Sequence, residues 1–234
     1  MKFFAYLMAI PKSLYFNLHY FGLRGFTFPV LISHHTVLKK LAGSVILPEK
    51  TKVAGIRIGF GDVPIFDKQR SRTIFYNQGM ICFKGKAKIG HGGKIVVKKN
   101  AHLTLGNRFN MSAESAIYCC YKIEFGDYNL LSWQVQLIDS DLHDIYAKDE
   151  ATVAINPPAA IITGDSVWFC SRANVLKGVT IPSNCIIAAN SNVVHTLTDS
   201  FCIYAGNPAK VIKRNITWDS AARDYLPQTN PYVG

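Results

Sequence analysis

Charge is scarce in this chain, and acid is scarcer than base. Asp and Glu number 15 against 26 Lys and Arg in 234 residues, and charged residues make up only 18%. With 49% hydrophobic residues, this composition excludes intrinsic disorder as the main state and allows a sizeable core, in one large domain or two small ones. The formal net charge of +11 comes as much from missing acids as from added bases, and the bases are scattered rather than gathered into a tail. That balance permits a nucleic-acid partner without calling for one. No CxxC pair occurs, and the cysteines at 82, 119, 120, 170, 185 and 202 lack the spacing of a disulfide framework. They read as buried thiols of a reducing cytoplasm. His34-His35 would project from opposite faces of a strand, which argues against a structural zinc site. No apolar run reaches the length of a transmembrane helix. The opening MKFFAYLMAIPKSLYFNLHYFG has an apolar run that stops at Pro11 with no small-residue cleavage site after it, a poor fit to a signal peptide. An amphipathic helix followed by an aromatic strand suits it better, with contact to a membrane surface as the second reading.

What the chain does have is a repeat. From residue 163 it divides without a gap into the hexads TGDSVW, FCSRAN, VLKGVT, IPSNCI and IAANSN, followed by Val193-Val194. The first position reads Thr163, Phe169, Val175, Ile181, Ile187, Val193; the fifth reads Val167, Ala173, Val179, Cys185, Ser191. One column is large and mostly apolar, the other modest in size. Neither the helical nor the strand period yields a six-residue repeat with two inward positions, whereas a chain that turns a corner every six residues does. Phe83, Ile89, Ile95, Ala101, then Leu105, Met111, Ile117, Ile123, then Phe125, Leu131, Leu137 keep the same beat with slips of phase that mark bulges or insertions. Between Leu137 and Thr163 the gap is too long for a corner, so IDSDLHDIYAKDEATVAINPPAAI must leave the stack as a loop, the kind of excursion that carries function.

The hexads, with GDSVWFCSRANVLKGVTIP and then YAGNPAKVIKR at 204–214, resemble the hexapeptide-repeat acyltransferases, and among them the O-acetyltransferases of sugars and surface polysaccharides. The resemblance spans roughly residues 55–214. It implies an all-β fold, a left-handed parallel β-helix of triangular section; general crossover rules would have favoured the right hand. The expected layout is an N-terminal cap over 1–54 made of a helix plus a strand, a β-helix over 55–203 with a protruding loop at 138–162, and the NPAK segment and tail over 204–234. The cap closes an end that would otherwise expose an unpaired edge and apolar interior. Residues 215–234, with little periodicity, read as a trailing arm.

Taking an acetyl group from a thioester to a hydroxyl needs a base, and histidine suits that near neutral pH. Of seven histidines, His143 alone stands at the start of the excursion, in Asp139-Ser-Asp-Leu-His143-Asp, the place the family gives its catalytic histidine. Asp141 falls on the same face if the strand continues to His143, where it could hold the ring tautomer; Asp139 and Asp144 are rivals for that task. The resemblance implies direct attack of the hydroxyl on acetyl-CoA in a ternary complex with no enzyme nucleophile. Cys170 and Cys185 fall on regular repeat positions and Cys119-Cys120 lies in another coil, which sets cysteine catalysis aside. For coenzyme A the resemblance carries over Ser171 and Ala189, one three-hexad coil apart, as small residues beside the cofactor arm. Val194 and His195 occupy a place where the family often has Thr-Lys, a departure that loses a cation. Lys210 and Lys213 match basic positions that meet the nucleotide phosphates, with solvated surface charge as the alternative for each.

KIGHGGK at 88–94 does not fit GxxxxGK[ST] and falls on a hexad corner, where glycine serves tight turning. The basic DKQRSR run at 67–72 reads as a solvated turn, and Trp168 as packing beneath the excursion. The leading expectation is an acetyl-CoA-dependent O-acetyltransferase of a saccharide in surface-polysaccharide assembly. It would be a homotrimer in the cytoplasm or at the inner face of the membrane, with neither a metal nor nucleic acid. N-acylation of an amino sugar and a non-catalytic β-helix scaffold or binding module stay open. A zinc enzyme resembling the hexapeptide-repeat carbonic anhydrases would need His91, His102 and His143 to converge.

Overall fold

A side chain that recurs every six residues can stay inside only if the chain bends by a third of a turn between recurrences. The computed structural model, which describes residues 2–61 and 63–219, has that geometry. Three parallel sheets form the sides of a prism. Sheet I holds Val30–Ile32, Ile56–Ile58, Ala87–Ile89, Phe109–Met111, Leu130–Leu131, Trp168–Phe169, Ile186–Ile187, Ile203–Gly206 and Ala209–Lys213. Sheet II holds Val37–Leu41, Ile74–Asn77, Lys94–Val97, Ala116–Cys119, Gln136–Ile138, Asn174–Val175 and Asn192–Val193. Sheet III holds Ser44–Ile46, Met80–Phe83, His102–Leu105, Lys122–Phe125, Ile161–Thr163 and Thr180–Ile181. The chain visits the sheets in the order I, II, III and then climbs one coil.

Both expected inward columns point to the axis. Thr163, Phe169, Val175, Ile181, Ile187 and Val193 are buried, and so are Val167, Ala173, Val179, Cys185 and Ser191. In this upper part Trp168 pairs with Ile186 and Asn174 with Asn192, eighteen residues apart, so three hexads make one coil. Lower down, Ala116 pairs with Gln136 and with Lys94, and coils take twenty or twenty-two residues. The surplus lengthens sides so that each presents two inward residues, such as Ile95 with Val97 or Ile123 with Phe125. Those longer sides are the physical cause of the phase slips.

The corners between sheets I and II force the left-handed backbone region on Gly92, Glu114, Gln134, Arg172 and Asn190. Glycine adopts it freely, which accounts for Gly92 in KIGHGGK at its corner. For the others it costs about 1–2 kcal/mol per residue. Side chains offset part of that by bonding along the corner: Gln134 Nε2 donates to Glu114 Oε2 at 3.2 Å and Arg172 Nε to Gln134 Oε1 at 3.0 Å.

The stack begins at Val30, not at residue 55. Val30–Ile32, Val37–Leu41 and Ser44–Ile46 pair in parallel with the strands one coil above, so the first coil lies inside the segment expected to be cap. Irregular stretches at 47–55, 59–61 and 63–73 lengthen the first turns and hide their phase. The cap proper is helix α1, Lys2–Phe21, which runs through Pro11, and the 3-10 turn Gly22–Thr27. Two side chains of α1 take the place of a missing strand at the lower edge of sheet I. Asn17 accepts from Val30 N–H (3.2 Å) and donates to Val30 O (2.7 Å), while Ser13 Oγ accepts from Ile32 N–H (2.8 Å). Phe16 closes the axis below, with its ring 5.2 Å from that of Phe75. His34 and His35 sit in a turn rather than on a strand, so their rings lie 3.9 Å apart instead of on opposite faces.

At the other end the chain reverses. Ile203–Gly206 and Ala209–Lys213 form an antiparallel hairpin that adds to sheet I, so the expected boundary at 203/204 falls within a strand. The segment after it lies back on the prism up to residue 219, since Trp218 Nε1 donates to Ser166 O at 2.8 Å. The rest of the expected arm, 220–234, is outside the described residues. Phe169→Ala in the large column should lower unfolding free energy by about 3–5 kcal/mol, and Ala173→Leu in the small column by about 1–3 kcal/mol through overpacking. Urea unfolding measures both, and two near-neutral results would refute the assignment of the inward columns.

Candidate active site

The excursion leaves sheet II after Ile138 and returns at Ile161, close to the expected 138–162. Its neck is built by Asp139, a buried carboxylate that accepts from Cys120 N–H (2.6 Å) and Tyr121 N–H (2.8 Å) in the coil below. The Asp139 carbonyl also accepts from Ala159 N–H at 3.0 Å, which draws the two ends of the excursion together. Asp139 is thereby committed to the neck and is no partner for His143. Beyond it, Tyr146–Ala147 and Glu150–Ala154 form a small antiparallel ribbon.

The strand does not continue to His143. It ends at Ile138, and Leu142 takes the left-handed conformation, so Asp141 and His143 do not share a strand face. Asp141 turns to Lys177 instead, accepting from Nζ at 2.6 Å and from Asn156 Nδ2 at 2.8 Å. Asn156 in turn donates to the His143 carbonyl (2.9 Å) and accepts from Ile145 N–H (2.7 Å). Lys177 also donates to the Asn156 and Pro157 carbonyls. Asp141 therefore holds the backbone that carries His143, not its imidazole. The His143 ring is exposed and makes no hydrogen bond among the described residues, and Asp144 accepts from the Tyr146 hydroxyl at 3.4 Å. The Lys177 ammonium, followed by the Asn156 amide, lowers the Asp141 carboxyl below its ordinary value of 3.8.

Beside the excursion, the outer face of sheet II is a polar floor. Gln136, Asn174 and Asn192 stand in register on three successive coils, with Asn174 Nδ2 donating to Asn192 Oδ1 at 2.8 Å. Two hollows lie on this floor. One of about 400 Å³ reaches the Arg172 and Asn190 corner, and one of about 240 Å³ is lined by Ile138, Leu176, Val194 and Asn207 among others. Ser171 and Ala189 precede the corner residues Arg172 and Asn190 that line the first hollow, and Asn190 N–H donates to the Ser171 carbonyl at 3.0 Å. Val194 lines the second hollow, and His195 is exposed at the next position. Lys210 and Lys213 are exposed on the terminal hairpin, beyond Asn207. Of the expected site residues Val194 alone lines one of these hollows; Ser171, Ala189 and His195 are each the chain neighbour of a lining residue.

Sequence reading missed Lys177, Asn156 and the floor. Asn174 and Asn192 were findable from their eighteen-residue spacing, but Gln136 was hidden because the excursion breaks the count. Trp168 does not lie beneath the excursion. It stands on the outer face of sheet I, donates to Ser132 Oγ at 3.0 Å and has its ring centroid 5.7 Å from that of Trp218. His91 is buried near a corner and His102 is exposed on sheet III, and no cluster of three metal-ligating side chains occurs among the described residues. Burial pushes the Cys170 and Cys185 thiols up to about 11, and burial with Asp139 raises Cys119 further, so none of these thiols is ionised near neutral pH.

No family model matches the chain. It is 34% identical over 131 residues to a polysialic acid O-acetyltransferase of Escherichia coli O1:K1 / APEC, a match covering 54% of this chain and 41% of that protein. It is 27% identical over 156 residues to an uncharacterised 24.8 kDa protein in the cps region of Klebsiella pneumoniae, covering 61% and 66%. Matches to curated relatives span from 31% to 66% of their own length. The crystal structure of the polySia-specific acetyltransferase NeuO superposes with a TM-score of 0.61 at 26% identity, covering 80% of this chain and 77% of that one. The β-helix is left-handed, as in these neighbours.

Because the Asp141 pKa is depressed, the Lys177 clasp acts in full above the ordinary carboxylate value and is lost only as pH falls through the lower folded one. It therefore holds throughout the neutral range. Lys177→Ala should speed amide hydrogen exchange across 141–156 by up to about fivefold at neutral pH. Unchanged exchange there would show that the clasp does not order the excursion.

Proposed function

We propose that this chain is a hexapeptide-repeat left-handed β-helix acyltransferase that transfers an acetyl group from acetyl-CoA to a saccharide hydroxyl in surface-polysaccharide biosynthesis. The observation that supports the reading is that His143 stands on a clamped excursion departing just after Ile138, a lining residue of the smaller sheet II hollow. His143 is the general base. Its imidazole takes the proton of the acceptor hydroxyl as that oxygen bonds to the acyl carbon. Acetyl-CoA would supply the acyl group as a thioester, whose C–S bond breaks as the C–O bond forms, and the proton held by His143 would pass to the departing coenzyme A thiolate. Ser171 and Ala189 offer small walls to its arm, and Lys210 and Lys213 offer charge to its phosphates. Asp141, Asn156 and Lys177 position the His143 backbone, while orientation of the ring comes from the bound acceptor or from a neighbouring copy. The sheet II hollows have one wall in this chain, and a homotrimer supplies the second.

His143→Ala should lower acetyl transfer by about 10²-fold or more while leaving the trimer mass and coenzyme A affinity unchanged. Normal turnover in that variant, with an alkali-labile ester still formed, would sink the assignment of the base.

The enzyme works in the cytoplasm against the inner face of the membrane. Among the described residues no helix is long and apolar enough to cross a membrane. Support comes from the lower end of the prism, where Phe4, Leu7, Met8, Leu23 and Phe26 are exposed. Residues 1–60 carry eight Lys and Arg but one acid, Glu49, and an amphipathic surface of that charge favours anionic lipid. The protein should sediment with vesicles containing anionic phosphatidylglycerol but not with pure phosphatidylcholine, and Leu7→Asp/Met8→Asp should abolish this. Equal binding to both vesicle types, or none to either, would refute the contact.

A further inference from the structure

A second concavity lies away from the His143 site, where sheet III turns into sheet I across the second, third and fourth coils. It is a cleft of about 470 Å³ whose charged lining residues are Lys52, Arg57, Lys86, Lys88 and Arg108. No acid lines it. None of these five cations pairs with a carboxylate among the described residues. Asp127 and Asp165, higher along the same corner, accept instead from the Asn107 and Asp127 backbone N–H groups at 2.8 and 2.7 Å.

This arrangement opposes stability. Arg57 is the register partner of Lys88 on adjacent strands, and Lys86 and Arg108 each precede the paired residues Ala87 and Phe109. Like charges facing each other across parallel strands repel. Elsewhere the chain neutralises such a stack: on sheet III, Lys84 and Lys122 flank Glu124 at 3.4 and 3.1 Å. Among the described residues the cleft has no such acid, so its charge is available to an anionic ligand.

We infer that the cleft binds an acidic glycan, a saccharide chain bearing carboxylate or phosphate groups, as a secondary site for the acceptor. This rests on the acetyl-transfer reading above. Coils repeat about every 4.8 Å along the axis, so the cations form a ladder that offers a positive charge at each rung to a linear polyanion. A concave cleft does not meet a flat lipid surface. Among the described lining residues the one aromatic, Phe109, is buried, and the neighbouring Tyr128 ring is covered by the Arg108 guanidinium at 5.5 Å, which disfavours base stacking. The Asn110 side chain, in register with Lys88, adds an amide suited to sugar hydroxyls. The cleft ends one coil below the strand from which the His143 excursion departs, so a chain held there continues toward the level of the base. Binding energy at such a remote site raises the local concentration of acceptor segments without touching the reacting atoms.

Calorimetry with decagalacturonate as the acidic probe and maltodecaose as its neutral counterpart tests the proposal. The protein should bind decagalacturonate with an affinity that falls as salt rises, and should not bind maltodecaose. Lys86→Glu/Arg108→Glu should weaken that affinity by about tenfold or more while coenzyme A affinity stays unchanged. If the double reversal does not fold, Lys86→Gln/Arg108→Gln serves under the same criteria. Equal affinity of the native and substituted proteins for decagalacturonate would overturn the proposal, as would tighter binding of a single-stranded oligonucleotide than of the glycan. Cleft-dependent glycan binding in a protein that transfers no acetyl group would refute the acetyl-transfer reading and leave the cleft assignment standing.

Discussion

Vertical register is the constraint on which the rest of this structure depends. Each short parallel strand is held by the coils above and below it, and its one or two inward side chains must lie on their counterparts. Val175 above Leu137 and Phe169 above Leu131 are examples, all fully buried. From that register follow the corner conformations, because a side of six residues can turn only if a residue such as Arg172 or Asn190 accepts a left-handed backbone. The two ends also follow. A stack needs something other than a further coil to finish it, and here those parts are the Asn17 and Ser13 side chains below and the antiparallel hairpin above.

The same constraint decides where the chemistry can sit. A coil cannot absorb a long insertion along a side without losing register, so the insertion occurs at a corner and projects outward. Once outside, the excursion has little core of its own. Polar bonds order it instead: Asp139 at the neck, Asn156 across the ribbon, and Lys177 reaching down from the coil above. The flat side beside it provides a rigid floor at no extra cost, since the outward residues of Gln136–Ile138, Asn174–Val175 and Asn192–Val193 are already aligned by the sheet. A mobile-looking loop is in this way referenced to the most regular part of the molecule.

Charge follows the geometry less closely than apolar residues do. Outward positions are free of the packing rule, so the basic excess collects where repulsion is tolerated: at the lower end and in the cleft beside sheet I. Repulsion along a ladder is costly, and Glu124 between Lys84 and Lys122 is an example of its relief. The excess of +11 is therefore better described as two local fields than as a uniform property.

The hexads from Thr163 onward made the upper coils, their two inward columns and the outward loop legible, because burial imposes a period that composition alone cannot imitate. The first coil was not legible, since irregular stretches at residues 47–55, 59–61 and 63–73 disturb the count before a column can form. His143 could be singled out from its place at the head of the excursion. The work of Asp141 could not, because sequence separation of two suggested a strand face, whereas the backbone turns at Leu142 and delivers the carboxylate to Lys177, thirty-six residues away. Local periodicity determined the architecture, since every coil repeats one packing problem. Tertiary structure decided the partners of polar side chains, since hydrogen bonds depend on which groups different coils bring within about 3 Å, and no repeat specifies that.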